Sequence, residues 1–372
     1  MNRIYNSLIK SIGALALTGL AACDYIHDDS LEPCEYRLRL VYDYNMKFAD
    51  AFGHEVTKAA LFICDNKGNF IRRQDIEGAE LKANDIAMDL KPGTYQVLTW
   101  AGLDDSSYQW PELTPGSSTI EEIRVKTLRE ADATQPNELT PLWHALDTLV
   151  VTGDRHEEKE ISLAKNTNKL RVVLQDTEGY SMDVRDFSFR IVADNGYMDY
   201  DNALLDDPAI TYLPYHTESV DIAAGADDDD DLINGKPANQ YVAVAELNTM
   251  RLMAGENYRL IVRHKDWEDD VLNVNLNQYL LLTQMEGHNI SAQEYLDRQD
   301  EYSIVFFLTP IVCPDCPDPD PDPEPDPEPD PDPEPDPDPD PEIPDPDVPV
   351  VGYACYKIQV KDWVIRLNNG EL

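Results

Sequence analysis

Apolar and polar residues alternate with a period of two along much of this chain, the spacing of strands that bury one face. Tyr36, Leu38, Leu40, Tyr42 and Tyr44 alternate with Arg37, Arg39 and Asp43 and predict a first strand. Residues 56–64 form a nearly unbroken apolar run with one lysine, as expected of a strand inside a sandwich. Asp65-Asn66-Lys67-Gly68-Asn69 then carries turn chemistry and Phe70-Ile71 resumes the pattern, which predicts a hairpin. Further strands are predicted over 85–90, 93–102, 142–151, 161–163 and 170–174. In the second half, Phe187, Phe189 and Ile191 alternate with Ser188 and Arg190, and strand patterns follow at 241–247, 258–263 and 271–276. Helix is scarce. The clearest stretch, 292–299, opens on the capping box Ser291-Ala292-Gln293-Glu294. Short strands at this spacing, separated by Gly, Pro, Asn and Asp, predict an all-β chain built of sandwiches.

Residues 153–160 are charged and lack apolar positions, so the boundary between two domains is placed there: one sandwich over 34–155, a second over 156–372. Residues 313–349 are a different material. Proline alternates with Asp or Glu for over a dozen repeats, a pattern no packed core can use and one that favours extended polyproline II. Structure then resumes: Tyr356, Ile358 and Val360 alternate, Trp363 and Ile365 continue, and the phase shift at Lys361-Asp362 predicts a β-bulge. The tract is therefore expected to be a loop inserted before a last strand, which these five residues would form and which is the candidate strand for contact with a partner.

The formal charge of the 372-residue chain is −42, which argues against nucleic acid or an anionic membrane surface as partner. Much of it is local: 16 of the 72 acidic residues lie between 313 and 347.

The N-terminus carries Arg3 and Lys10, an apolar run over 12–20, and then Leu20-Ala21-Ala22-Cys23. A charged start, a short apolar run and small residues at a cut site predict an export signal over 1–22. The stretch resembles a bacterial lipobox, in which the cysteine is acylated and becomes the first residue of the mature protein. Cys23 is thus the expected lipidation site, with palmitate-type chains holding the protein on a membrane without a spanning helix. Residues 23–33 would be an acidic tether. Five other cysteines remain, an odd number, so no complete disulfide framework is inferred.

Catalytic chemistry is not evident. The seven histidines are scattered without metal-ligand spacing, and His144 beside Trp143 is expected to be a packing residue. Cys313-Pro314-Asp315-Cys316 has redox or zinc spacing, but no second pair accompanies it. A bridge from Cys313 or Cys316 to Cys355, pinching the base of the proline loop, is the preferred reading. The run Asp227, Asp228, Asp229, Asp230 and Asp231 is either a solvated loop or a calcium site, although calcium loops space their ligands.

The run from Tyr36 through Phe52, shortly after the lipobox-like stretch, is similar to the fimbrillin-anchoring lipoproteins of Bacteroidota, accessory anchor subunits of the major and minor fimbriae. Pro92-Gly93-Thr94-Tyr95, Pro141-Leu142-Trp143-His144-Ala145, Lys165-Asn166-Thr167-Asn168, Tyr295-Leu296-Asp297-Arg298-Gln299-Asp300-Glu301-Tyr302 and Val360-Lys361-Asp362-Trp363 extend the resemblance in order. It implies two tandem transthyretin-like β-sandwiches, outer-membrane attachment through the lipid, and a non-enzymatic role holding a fimbria and limiting its length. Its partner would be a pilin subunit, engaged by strand exchange, with no cofactor or metal. A surface-tethered adhesin that binds protein or glycan through its loops is the alternative.

Overall fold

A computed structural model of the chain describes residues 35–222, 232–233, 236–237, 241–285, 289–312, 350–360 and 363–366. The signal, Cys23, the tether, Cys34, the aspartate run and the proline tract lie outside them. Strand β1 (Tyr36–Val41) is the middle of a three-stranded sheet, parallel to β10 (Glu157–Ser162) and antiparallel to β4 (Ile86–Met88). A five-stranded sheet faces it. Its order is β11 (Ala164–Lys165), β9 (Trp143–Val151), β5 (Gly93–Ala101), β2 (Lys58–Asp65) and β3 (Phe70–Glu77).

Between the two sheets pack Leu38 and Leu40 of β1, Leu61 and Ile63 of β2, Val97, Leu149 and Ile161. Burying each such side chain contributes about 1.5–3 kcal/mol relative to leaving it in water. Alternate β2 residues Ala60, Phe62 and Cys64 point the other way, into a second core with Leu98 and Trp100. Two covered faces explain why the run at 56–64 has almost no polar positions.

The second core is shared with the rest of the chain. A six-stranded sheet runs β16 (His216–Asp221), β19 (Tyr241–Met250), β12 (Thr167–Asp176), β22 (Glu301–Val312), β23 (Val350–Val360) and β24 (Trp363–Arg366). A five-stranded sheet runs β21 (Asp270–Asn275), β20 (Arg259–His264), β13 (Phe187–Ala193), β15 (Ile210–Tyr212) and β8 (Thr134–Gln135). Two short sheets complete the described elements: β14 (Tyr197–Met198) with β7 (Val125–Thr127) and β6 (Tyr108–Gln109), and β17 (Leu232–Ile233) with β18 (Lys236–Pro237).

Two features depart from the expected division at residue 155. First, β10 pairs with β1 over six positions, so the charged stretch after 156 belongs to the first sandwich. Its acidic and basic residues face solvent while Ile161 reaches the core, and one buried position in six is too faint a period to read as a strand. Second, β6, β7 and β8 lie on the excursion between β5 and β9, yet β7 pairs with β14 and β8 with β15. The N-terminal half therefore supplies strands to the second sandwich.

The crossing itself is the Lys-Asn-Thr-Asn segment. The Asn166 amide N–H donates to the Leu142 carbonyl at 2.7 Å, and its side chain donates to Asn202 at 2.6 Å. Asn168 donates to the carbonyl of Met250 at 3.1 Å. Lys165 reaches Glu55 at 2.8 Å and Asp300 at 2.5 Å while lying over the Trp143 ring. Burial works against this ammonium, but the two carboxylates outweigh it and hold its pKa above the ordinary value. The helix Ala292–Arg298 starts as predicted at Ser291, whose side chain accepts from the Glu294 amide at 3.1 Å. The Glu294 carboxylate pairs instead with Arg298 at 2.8 Å, so half of the expected box is made.

Candidate partner-binding edge

β22 and β23 are antiparallel neighbours, and their paired ends, Val312 opposite Val350, are where the proline tract leaves and returns. The tract, itself outside the described residues, thus lies in sequence between two strands that are neighbours in the sheet. Among the described residues, Ile311, Val312, Val350 and Val351 are four aliphatic side chains exposed at this end. Farther along, Phe307 faces Lys357 and Leu308 faces Cys355, which leaves Tyr356 as the extra residue of a bulge. The ring of Tyr356 is 51 % exposed, whereas Ile358 and Val360 are buried.

These pairings revise the expected last strand. Val360 stands opposite Trp363 and Ile358 opposite Ile365, so the chain reverses between them and makes two strands, β23 and β24. Lys361 and Asp362, where the sequence pattern predicts a bulge, lie outside the described residues; among the described residues of β23 a bulge sits at Tyr356. Ile358 and Val360 are core residues on an interior strand, between β22 and β24, and present nothing to a partner. Trp363 and Ile365 lie on β24, which is the sheet's rim and pairs with β23 alone among the described residues. The opposite rim, β16, reads His-Thr-Glu-Ser-Val-Asp, a charged and polar composition of the kind that discourages pairing with another chain. Trp-Val-Ile-Arg on β24 has no such protection.

Residues 31–369 match the family described as fimbrillin-A associated anchor proteins Mfa1 and Mfa2. The chain belongs to that family. It is similar over 90% of its length to a Bacteroides thetaiotaomicron structure described as a putative polysaccharide binding protein, with 30% identity, TM-score 0.69 and 99% of that chain covered. A putative adhesin from the same organism is 29% identical, with TM-score 0.69 and 91% and 100% of the two chains covered. The fimbrial anchor protein Mfa2 from Porphyromonas gingivalis shares the fold at 16% identity and TM-score 0.60, over 90% of this chain and 99% of that one. No curated protein matches. Family membership assigns a fimbrial anchor or adhesin-like role at the cell surface, associated with fimbrial subunits. Among the described residues no helix is long and apolar enough to cross a membrane.

The imidazole of His144 is buried, stacks edge-on against Trp100 at 4.7 Å, and donates from Nε2 to the Tyr200 carbonyl at 2.8 Å. Burial lowers its pKa to about 4, so it is a neutral packing group. No cluster of three or more potential metal ligands occurs among the described residues. Cys355 is a free thiol, against the expectation of a bridge to the base of the tract. Its register position explains this. It stands opposite Leu308, four positions or roughly 13 Å along the strand from Val312, and is buried in the core. Cys313 and Cys316 lie outside the described residues.

One feature left no trace in the sequence pattern. Trp110 is a shared wall of three adjoining cavities of about 540, 450 and 420 Å³. Arg73 lies against the Trp110 ring at 5.5 Å and against Phe62 at 5.4 Å, and donates to Asp75 at 2.7 Å. Asp104 and Lys58 pair at the far wall, and the Lys58 ammonium, hydrogen-bonded to Asp104, holds that carboxyl well below the usual range.

Proposed function

We propose that this chain is a lipid-anchored outer-membrane accessory subunit, tethered through Cys23, that holds a fimbria at the cell surface and limits its length. The observation that carries this reading is β24, a strand of mostly apolar composition that ends its sheet among the described residues, to which a pilin's extended segment can add a further strand. A subunit that captures one pilin and is itself fixed to the membrane ends growth on that side. The exposed aliphatic cluster at Val312 and Val350 lies on the neighbouring strands and would extend the contact.

Two changes in the parent organism test it. Cys23→Ala should abolish radioactive palmitate incorporation and release elongated fimbriae into the medium. Val364→Lys, at the register position opposite Gln359 and not opposite a core residue, should keep the lipid and the fold but lose retention of fimbriae by the cells. Normal fimbrial length and attachment in both variants would refute the reading.

A second reading is favoured by the Trp110 groove and by the description of the 30 %-identical relative as a putative polysaccharide binding protein. An aromatic face flanked by Arg73 and acidic side chains suits the C–H face and hydroxyls of a sugar. Glycan-array binding lost on Trp110→Ala, with fimbriae unaffected, would support this adhesin role.

A further inference from the structure

We infer that the parallel β1/β10 pair is a force-bearing seam, arranged so that tension along the chain loads all its hydrogen bonds together. The inference rests on the proposed tether, because it concerns a pull entering at the N-terminal end of β1. The second sandwich is joined to the first by the excursion between β5 and β9 and by the segment after β10; the latter brings the opposing pull, through Lys165 and Leu163, into the C-terminal end of β10. In a parallel pair those two points lie at opposite ends: Tyr36 stands beside Glu157, and Val41 beside Ser162. Tension therefore slides one strand along the other instead of opening the pair from one end. A parallel ladder has evenly spaced bonds, so sliding must strain them as a group.

The seam is reinforced beyond its six paired positions. The Glu157 amide donates to the Glu35 carbonyl at 3.1 Å at one end, and the Leu163 amide to the Val41 carbonyl at 2.8 Å at the other. Arg39 pairs with Glu160 at 3.2 Å, and Ser162 donates to Asp43 at 2.6 Å. On the far side of β1, Asn84 brackets Leu40, accepting from its amide at 3.0 Å and donating to its carbonyl at 2.7 Å. Leu38 and Leu40 are fully buried, so extraction also drags apolar surface into water. A tether joined to an edge strand, or at the other end of β1, would lack this protection.

Single-molecule stretching of the full mature chain tests the seam. One handle is fixed at the N-terminus; the other is placed after residue 372 or in the exposed β9–β10 loop between Asp154 and Arg155. The second placement pulls both strands from the same end and opens the pair one bond at a time. The step that frees the first sandwich, recognised by a lengthening of roughly 200 Å from the chain between β1 and the end of β5 at about 3.5 Å per residue, should need a several-fold higher force in the end-to-end geometry. Arg39→Pro, which removes a ladder donor, should lower that force. If the variant does not fold, the two wild-type geometries still decide. Equal forces in both would overturn the seam and leave the anchor reading intact, whereas fimbriae indifferent to Cys23→Ala would remove the tether and not the seam's strength.

Discussion

At position 144 an imidazole is held neutral against Trp100, with its folded-state pKa near 4 and its ordinary value 6.5. As pH falls below 6.5 the unfolded chain takes up a proton that the folded chain refuses. Stability from this residue is therefore complete above 6.5 and is lost as pH falls towards 4, by on the order of 3 kcal/mol. Thermal melts from pH 7 to 4 should show a shallower decline in His144→Phe than in the parent. Two thiols behave comparably. Burial pushes Cys64 up to about 11 and Cys355 up to about 12. Neither should react with iodoacetamide at pH 8 until denaturant is added, and peptide mapping should recover Cys355 unbridged. The placement of His144 as a packing residue was legible from its neighbour Trp143 and the lack of any ligand spacing. The free state of Cys355 was not legible, because it depends on which residue of β22 stands opposite.

Among elements, local pattern identified strands well and their neighbours poorly. The unbroken apolar run of β2 and the turn at Asp65 to Asn69 are readable because burial on two faces and a reversal each leave a local signature. β10 has no such signature, since its only deeply buried side chain is Ile161. The β23 bulge at Tyr356 and the reversal before β24 both shift the alternation by one residue, and a one-dimensional pattern cannot distinguish them. Contacts between elements are testable in the same terms. Lys165→Ala leaves Glu55 and Asp300 without their shared cation and should cost about 2 kcal/mol in chemical denaturation, less than a fully buried pair because both acids retain some solvent. A double-mutant cycle with Asp300→Ala should return a coupling of about 1 kcal/mol or more.

At the scale of the molecule, the proline tract joins the ends of an antiparallel pair that is held by its own register. Replacing residues 313–349 with a four-residue turn should preserve the far-ultraviolet circular dichroism and raise stability by up to about 2 kcal/mol, because loop-closure entropy grows slowly with length. A cooperative loss of fold would show instead that the tract holds the strands together. The sequence by itself determined the all-β class, the position of most strands, the separate nature of the tract and the family, since each leaves its mark on consecutive residues. Strand order, the sharing of residues 102–142 with the second sandwich, the Trp110 groove, the place of β24 at the end of its sheet among the described residues and the parallel register of β1 against β10 were decided only in the tertiary structure. Periodicity records which face of a strand is dry. It carries no record of which distant strand lies alongside, and both the rim that could take a partner and the seam that could bear its pull are properties of that neighbourhood.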